Sequence, residues 1–453
     1  MKIRPYFVFN LFVAAIFALT APLALSKTVE LVTSADIAKH KSQTTLFKLS
    51  NGSTVIHKLE PSSDIINVSI AFDWALKDQK KGSKSLPSLL MAMMARGTKT
   101  YSQAQLFALQ EKYGLSLGCS AGIDLSTCQF ETINDYFEET IGIFASAVKE
   151  PHFAEDDFKV IRDRQVSAKE SSLEDPSSTV NEAVNEIYYT EAHPYYFPAA
   201  DAIKELKSAK TKDLYRAYRS VLNAQRMTFV VVSSMSVDAV KKQLEKHFSS
   251  VKGWYYKSQK TAYPKSADKN LSLVEREIPT SYVRIKIPAP SYDSKEAATS
   301  RLLFEILSEE MSNEIRTKRS LSYSAFAYTG QGQIGLGVFG ISTSKPKESL
   351  KVLSDIITTI RSKEIEGELF EEYKRVFATS YFLGLETHDS LASGLLRSYY
   401  YRGDPTFVFE VPKQFNSVTP KDVQNLAKKI LGKFKIGVIG AKDQIKEDLS
   451  GIL

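Results

Sequence analysis

The chain is poor in the residues that build compact metal sites and disulfide scaffolds. Its 453 residues include 2 cysteines and 6 histidines, and the two closest histidines are His40 and His57. Two cysteines exclude a disulfide-rich scaffold and a cysteine-cluster zinc module. No histidine pair has the four-residue spacing that places two imidazoles on one helix face, although a zinc site assembled from distant histidines stays open. A net charge of +7, spread along the chain, does not indicate a nucleic-acid binder.

Long apolar runs are also scarce, and the one that stands out lies at the N-terminus. Lys2 and Arg4 precede an apolar run over residues 6–21, and Ala24-Leu25-Ser26 then offers small residues two apart. This pattern predicts a secretory signal peptide over residues 1–26. An uncleaved membrane anchor is the alternative, but the run is shorter than the roughly 20 residues that a spanning helix needs. We therefore expect an exported, periplasmic protein without a membrane span after signal cleavage.

Export bears on the two cysteines, because oxidising compartments permit disulfides. Cys119 and Cys128 lie on two alternating runs around a turn at residues 122–124, which indicates a hairpin. A two-residue loop at Ile123 and Asp124 sets Cys119 opposite Cys128, at a site where side chains approach closely. The sequence thus predicts a cross-strand disulfide. Two buried free thiols are the alternative, and a catalytic cysteine is the least expected of the three.

With 43% hydrophobic residues, the chain can form more than one core. Hydrophobic periodicity predicts an opening β-meander over 45–74 and helices near 85–95, 102–113, 134–147, 154–172, 210–222 and 237–248. After a Lys-rich linker at 254–270, it predicts strands at 271–278, 282–287, 322–328 and 335–342, with helices at 295–316, 347–363 and 368–383. The motif at 208–214 recurs at 417–423, an offset of 209 residues. We expect an α+β fold of two homologous domains, 40–253 and 271–453, each an antiparallel sheet packed with helices.

A glycine motif resembles a nucleotide fingerprint by its letters alone. Gly330-Gln-Gly332-Gln-Ile-Gly335 has the Gly-x-Gly-x-x-Gly spacing, but the fingerprint needs a strand before it and a helix after it. Here an alternating run follows, so the pattern favours a hairpin loop. The chain also has no Gly-x-Ser-x-Gly elbow, and neither cysteine has a histidine close by in sequence. The sequence therefore contains no obvious self-contained active site.

The segment 85–102 resembles the zinc helix of pitrilysin/insulinase-type metallopeptidases, which carries His-x-x-Glu-His before a Gly-Thr-Lys tail. Counting back from Gly97, the three motif positions fall on Ser88, Met91 and Ala92. The resemblance implies that both zinc ligands and the general base are missing, because these side chains cannot hold Zn²⁺ or deprotonate a bound water. The family's third ligand, a glutamate, should fall near Ser167 or Ala168. Glu170 is close but out of register.

The resemblance extends from Phe47 to about Lys442, and its sharpest match in the second half is Arg316 with Tyr323. In the family this pair lies on the substrate-binding side, where it can hydrogen-bond the peptide backbone and stabilise the reacting carbonyl. A helix-end arginine and a strand tyrosine that only support the hairpin is the alternative. One feature departs from the family: the processing-peptidase α-subunit has a glycine-rich loop here, and residues 287–294 contain no glycine.

These residues together resemble the non-catalytic partner of a two-subunit peptidase, half of a clamshell that encloses an unfolded peptide. The resemblance implies a substrate-binding subunit of an exported, heteromeric zinc metallopeptidase, with no cofactor in this chain and zinc in a homologous partner that bears His-x-x-Glu-His. Its expected partners are that subunit and a peptide substrate. A scaffold or peptide-binding protein without proteolysis is the main alternative, and an autonomous zinc peptidase is the other.

Overall fold

A computed structural model describes residues 34–265, 268–445, 449 and 451–453. The predicted signal peptide, residues 1–26, lies outside these residues. None of the helices within the described residues is both long enough and apolar enough to cross a bilayer.

The N-terminal half builds a six-stranded sheet with helices against it. Its strands are β1 (Thr44–Lys48), β2 (Thr54–Leu59), β3 (Ile65–Phe72), β4 (Ser116–Ala121), β5 (Ser126–Ile133) and β6 (Met227–Ser233). Its helices are α1 (Ser34–Ser42), α2 (Leu86–Met94), α3 (Gln103–Tyr113), α4 (Phe137–Lys149), α5 (Glu155–Glu174), α6 (Pro176–Tyr188), α7 (Ala199–Ser208), α8 (Thr211–Val221) and α9 (Val237–Phe248). The strand order is β1-β2-β6-β3-β5-β4, so β4 forms one edge.

The C-terminal half repeats this plan with five strands. They are β7 (Leu271–Glu275), β8 (Ser281–Ala289), β9 (Ser324–Gln331), β10 (Gly335–Thr343) and β11 (Lys435–Gly440), in the order β7-β11-β8-β10-β9. The helices are α10 (Ala297–Met311), α11 (Pro346–Ser362), α12 (Gly367–Leu383), α13 (His388–Arg402), α14 (Phe407–Ser417), α15 (Pro420–Ile430) and α16 (Lys442–Ile445). Between α9 and β7, the described residues contain no helix or strand.

The duplication that the sequence predicts is present in the structure. Helices α8 and α15 begin and end 209 residues apart, and each is followed by a strand in the middle of its sheet. Both begin with the same device, because Asp213 accepts from the Lys210 amide and Asp422 accepts from the Thr419 amide. The α+β fold of two homologous domains is thereby confirmed.

The sheets depart from the expected antiparallel pattern at one pair each. β2 pairs with β6 in parallel, and β7 pairs with β11 in parallel, whereas the other neighbours are antiparallel. Parallel neighbours need a long crossover connection. Here nearly the whole half lies between the two strands of each pair, so the last strand can return beside the first in the same direction.

The two halves exchange equivalent helices. α6, from the N-terminal half, packs on β7, β8 and β11, while α13, from the C-terminal half, packs on β3 and β6. On the second contact, Leu395 and its neighbours on α13 join Val230 and Val232 in a buried apolar cluster. On the first, Gly437 approaches α6 so closely that an added Cβ would lie 3.0 Å from the Val180 carbonyl oxygen. Neither half therefore completes its packing alone.

The tips of two equivalent hairpins meet at the same junction. Asp124, in the β4–β5 turn, is buried and accepts hydrogen bonds from the hydroxyls of Tyr195 and Tyr401. Its second oxygen also accepts from the Gln333 amide, in the β9–β10 turn. The glycine motif lies in this turn, and a Cβ on Gly332 would lie 3.0 Å from the Asp124 carboxylate. The motif is thus a hairpin loop shaped by a close contact between the halves.

Candidate functional site

Helix α2, which holds the degenerate zinc-motif positions, is anchored at its first turn by a carboxylate. Glu205 on α7 accepts from the Ser85 amide at 2.8 Å and from the Gly82 amide at 2.7 Å. It also accepts from the Ser85 hydroxyl at 3.1 Å. A carboxylate at a helix N-terminus satisfies free amide groups and interacts favourably with the helix dipole. The helix therefore has a fixed position although its metal-binding side chains are absent.

The three motif positions on α2 face different surroundings. Ser88 is exposed, and its hydroxyl donates to Gln165 Oε1 at 3.0 Å and to the Ser85 carbonyl at 2.9 Å. Met91 is fully buried in the apolar core of the half, and Ala92 packs against that core. A zinc site needs nitrogen, sulfur or carboxylate ligands directed at one point. These residues do not fit Zn²⁺, since their only polar donor is a serine hydroxyl that is already hydrogen-bonded.

The residue of α5 that faces Ser88 is Gln165. Its side-chain amide also donates to the Ser88 carbonyl at 3.2 Å, so two hydrogen bonds join the helices. Ser167 and Ala168, the positions counted for the third ligand, are exposed. Glu170 is ion-paired with Lys207 on α7 at 2.7 Å. Within the described chain, no group of three or more histidine, cysteine, aspartate or glutamate side chains is arranged to hold a metal ion.

Sequence reasoning missed Gln165, although a signal for it exists. Phe158 and Ile161 are buried on α5, and Gln165 follows at the spacing that continues the same face of the helix. A count along this apolar face, rather than back from the Asp175-Pro176 break, identifies the position that meets α2.

Arg316 and Tyr323 lie together on the C-terminal half. α10 continues into a π-helical turn, Ser312–Thr317, that carries Arg316, and Tyr323 stands one residue before β9. The guanidinium carbon of Arg316 lies 5.1 Å from the centroid of the Tyr323 ring. The loop between them is held by backbone hydrogen bonds from Leu321 to Ile315 at 2.9 Å and from Ser320 to Arg316 at 3.1 Å. The structure thus brings the predicted pair into contact.

Both side chains of this pair are available to a ligand. Arg316 is exposed and Tyr323 is 85% exposed. Within the described residues the Arg316 guanidinium has no hydrogen bond and no ion pair, and its ring contact is worth about 0.5–1 kcal/mol at an exposed site. No hydrogen bond, ion pair or ring contact in the same part of the chain joins this pair to α2. The chain therefore keeps the two sets of motif positions on separate halves.

The two cysteines lie beneath α2. Cys119 on edge strand β4 pairs with Cys128 on β5, with the two Cα atoms 4.0 Å apart, and a disulfide joins them. Cys128 is fully buried in the core that contains Met91, and Cys119 packs against that core. The disulfide therefore ties the edge strand to its neighbour on the face that α2 covers.

A buried lysine fixes the loop beside α2. Burial lowers the pKa of Lys84, which donates to the carbonyl of Pro194 at 3.1 Å and to the carbonyl of Tyr196. In the same loop, His193 Nε2 lies 3.0 Å from the carbonyl oxygen of Ala262 in the segment between the halves. Burial also lowers the pKa of His193, so this ring is neutral at pH 7. These contacts give the loop a packing role.

Comparison with known proteins finds matches along most of the chain. The family model described as insulinase (peptidase family M16) matches residues 83–194, and the one described as peptidase M16 inactive domain matches residues 208–377. The chain is 21% identical over 406 residues to the zinc protease PqqE of Helicobacter pylori, which covers 86% of this chain and 90% of that protein.

Two solved structures have the same fold. One is a peptidase M16 inactive domain from Pseudomonas fluorescens, with a TM-score of 0.80 and 17% identity, covering 88% of this chain and 98% of that one. The other is the periplasmic protease PqqL from Escherichia coli, with a TM-score of 0.77 and 15% identity, covering 88% of this chain and 46% of that one.

Proposed function

Since the chain belongs to the peptidase M16 (insulinase) family, we propose that it is a non-catalytic, substrate-binding subunit of an exported zinc metallopeptidase. In this proposal the enzyme is heteromeric and degrades or processes peptides or unfolded polypeptides. A homologous partner subunit carries the zinc, and the present chain carries none.

The observation that carries the proposal is the chemistry of α2. A metallopeptidase helix of this type must present two ligands and a base that reaches a bound water. Here Ser88 is bonded to Gln165, and Met91 is buried in the core. A single substitution cannot restore such a site, since the buried and hydrogen-bonded surroundings would also have to change.

The preserved half of the site supports a role in substrate binding. Arg316 and Tyr323 are exposed and adjacent, and the guanidinium is not committed to a carboxylate in the described chain. A guanidinium and a phenol hydroxyl can donate to a peptide carbonyl and stabilise negative charge that develops on it. We infer that the pair acts on a peptide held against the zinc-bearing partner.

Export is supported by the basic and apolar N-terminal segment, residues 1–26. A disulfide between Cys119 and Cys128 is compatible with an oxidising compartment. A protein of similar fold is named as a periplasmic protease.

The proposal is tested first by metal content and cleavage. The mature chain is purified alone and after co-expression with a homologue from the same organism that contains His-x-x-Glu-His. We expect substoichiometric zinc and no cleavage of an unfolded fluorogenic peptide by the lone chain, and both zinc and cleavage in the co-purified complex. Stoichiometric zinc with cleavage in the lone chain would refute the proposal.

The second test asks whether the complex uses Arg316. Because the arginine acts on substrate in this proposal, Arg316→Ala in the complex should lower kcat/KM about 100-fold, the range measured when one such donor is removed. Lys318→Ala is the matched control, since Lys318 is an exposed cation two residues away whose ion pair with Glu314 at 2.6 Å is a surface pair. Equal activity of the two variants would favour a scaffold that uses the same fold without taking part in cleavage.

A further inference from the structure

A cavity of about 500 Å³ lies in the C-terminal half, away from α2 and from Arg316. Edge strand β9 forms one wall, and α10, α12 and α13 form the others. Gly384 and Gly394 line it, so part of the wall is backbone without side chains. Nothing in the proposed role of Arg316 and Tyr323 uses this cavity.

Two arginines from different helices point to the same place in this cavity. Arg301 on α10 donates through Nε to the side-chain oxygen of Gln331 at 2.6 Å. Arg397 on α13 donates to the backbone carbonyl of Gln331 at 2.8 Å. Their guanidinium carbons lie 5.3 and 5.6 Å from the centroid of the Tyr292 ring. Gln331 and Tyr292 thus hold two positive charges side by side.

These charges are not neutralised within the chain. Among the described residues, no carboxylate oxygen lies within 4.0 Å of either guanidinium. Glu305 lines the cavity, but burial raises its pKa, which favours the uncharged acid. Burial lowers the pKa of Arg301, and the charge of Arg397 adds to this effect. Because arginine stays protonated at neutral pH, the pair is a site of uncompensated positive charge.

A hydroxyl in the cavity wall also lacks a partner. Thr329 on β9 lines the cavity, and its Oγ1 is buried without any hydrogen-bond partner. Buried polar groups without a partner are rare and often mark the place of a ligand. Two guanidinium groups and a free hydroxyl are the groups that recognise a carboxylate, since arginine forms charge-assisted hydrogen bonds with it.

We propose that this cavity binds a carboxylate of a peptide, presented as its C-terminus or as an acidic side chain. The anion chemistry follows from the cavity itself, whereas the choice of a peptide as its source rests on the proposed function. The site would select acidic or free C-terminal ends among the polypeptides that reach the subunit.

The test measures binding to the lone, full mature chain, without a partner and without cleavage. Fluorescence anisotropy is recorded with an N-terminally labelled neutral hexapeptide as the free acid, as the C-terminal amide, and as an amide with one internal glutamate. We expect the free acid or the glutamate peptide to bind at least about tenfold more tightly than the neutral amide. The peptide that shows the gain identifies the source of the carboxylate.

Variants assign the gain to the cavity. Arg397→Gln should abolish the preference for the carboxylate, and Arg361→Gln, an exposed arginine on α11, should preserve it. Thr329→Val, which removes only a hydroxyl, should reduce the preference severalfold and keeps the test valid if Arg397→Gln destabilises the fold. Equal affinity for acid and amide, or a preference that survives both cavity variants, would overturn the inference.

This experiment separates the inference from the proposed function. A lone chain that prefers carboxylates but never supports cleavage with any partner keeps the cavity site and refutes the peptidase role. An active complex whose lone subunit shows no preference keeps the peptidase role and refutes the cavity site.

Discussion

Removing the Asp124 carboxylate should weaken the junction between the halves. The side chain accepts from Tyr401 Oη at 2.9 Å and from the Tyr195 hydroxyl, and both tyrosines belong to elements that meet at the junction. Burial raises the pKa of both phenols, and the Asp124 charge raises it further, so both remain protonated donors at any ordinary pH. Asp124→Ala would leave two largely buried hydroxyls without their acceptor.

The magnitude follows from the cost of an unsatisfied buried donor, which is about 1–3 kcal/mol each. Two such donors, with some relaxation toward water, give an expected loss of about 3 kcal/mol in the free energy of unfolding. Asp124→Asn keeps an acceptor oxygen and should lose less. Asp135→Ala, at an exposed aspartate on the same half, is the matched control and should change the stability by less than about 0.5 kcal/mol.

The assay is urea-induced unfolding followed by far-UV circular dichroism, with a double-mutant cycle between Asp124→Ala and Tyr401→Phe. Because the two side chains are in direct contact, we expect a coupling energy of about 1–2 kcal/mol. Equal unfolding midpoints for Asp124→Ala and Asp135→Ala would refute the reasoning, and additivity in the cycle would refute the direct contact.

Three further predictions concern stability. The double variant Cys119→Ser/Cys128→Ser should lose about 2–3 kcal/mol in urea unfolding, the range for closing so short a loop, and a reductant should shift the wild type but not the variant. Burial lowers the pKa of His57 to about 4 from 6.5, so the folded state binds fewer protons than the unfolded state. Stability should therefore fall by on the order of 3 kcal/mol as the pH drops from 6.5 to 4, and unfolding midpoints of His57→Gln should lack that part of the slope. Burial likewise lowers the pKa of Lys286 to about 8 from 10.5, so unfolding midpoints should rise between pH 8 and 10.5, and an unchanged slope in Lys286→Met would contradict this assignment.

Much of the secondary structure could be predicted because its signals are local. The apolar spacing of 237–248 predicts a helix with the bounds that α9 has, and Ser102 caps α3 by accepting from the Gln105 amide at 3.3 Å. The turn at residues 122–124 sets the register of its hairpin, in which Cys119 stands opposite Cys128. These features depend on neighbours within a few residues.

The position of α13 shows where local signals end. The sequence analysis placed no helix at 388–402, and the structure has one whose Leu391 and Leu395 pack on the sheet of the other half. A helix whose buried face is matched to a distant sheet has apolar residues like any other helix. Its partner is decided only when the two halves fold against each other.

The candidate sites divide in the same way. The sequence by itself determined which side chains are present on α2, since Ser88, Met91 and Ala92 cannot form a zinc site in any fold. Only the tertiary structure decided that Gln165 meets Ser88, that Arg301 and Arg397 share one cavity, and that a turn residue, Asp124, is the acceptor for a tyrosine 277 positions away. The physical reason is that hydrogen bonds and charge between such distant residues leave no periodic pattern in the chain. They arise when the duplicated halves bring their equivalent elements together.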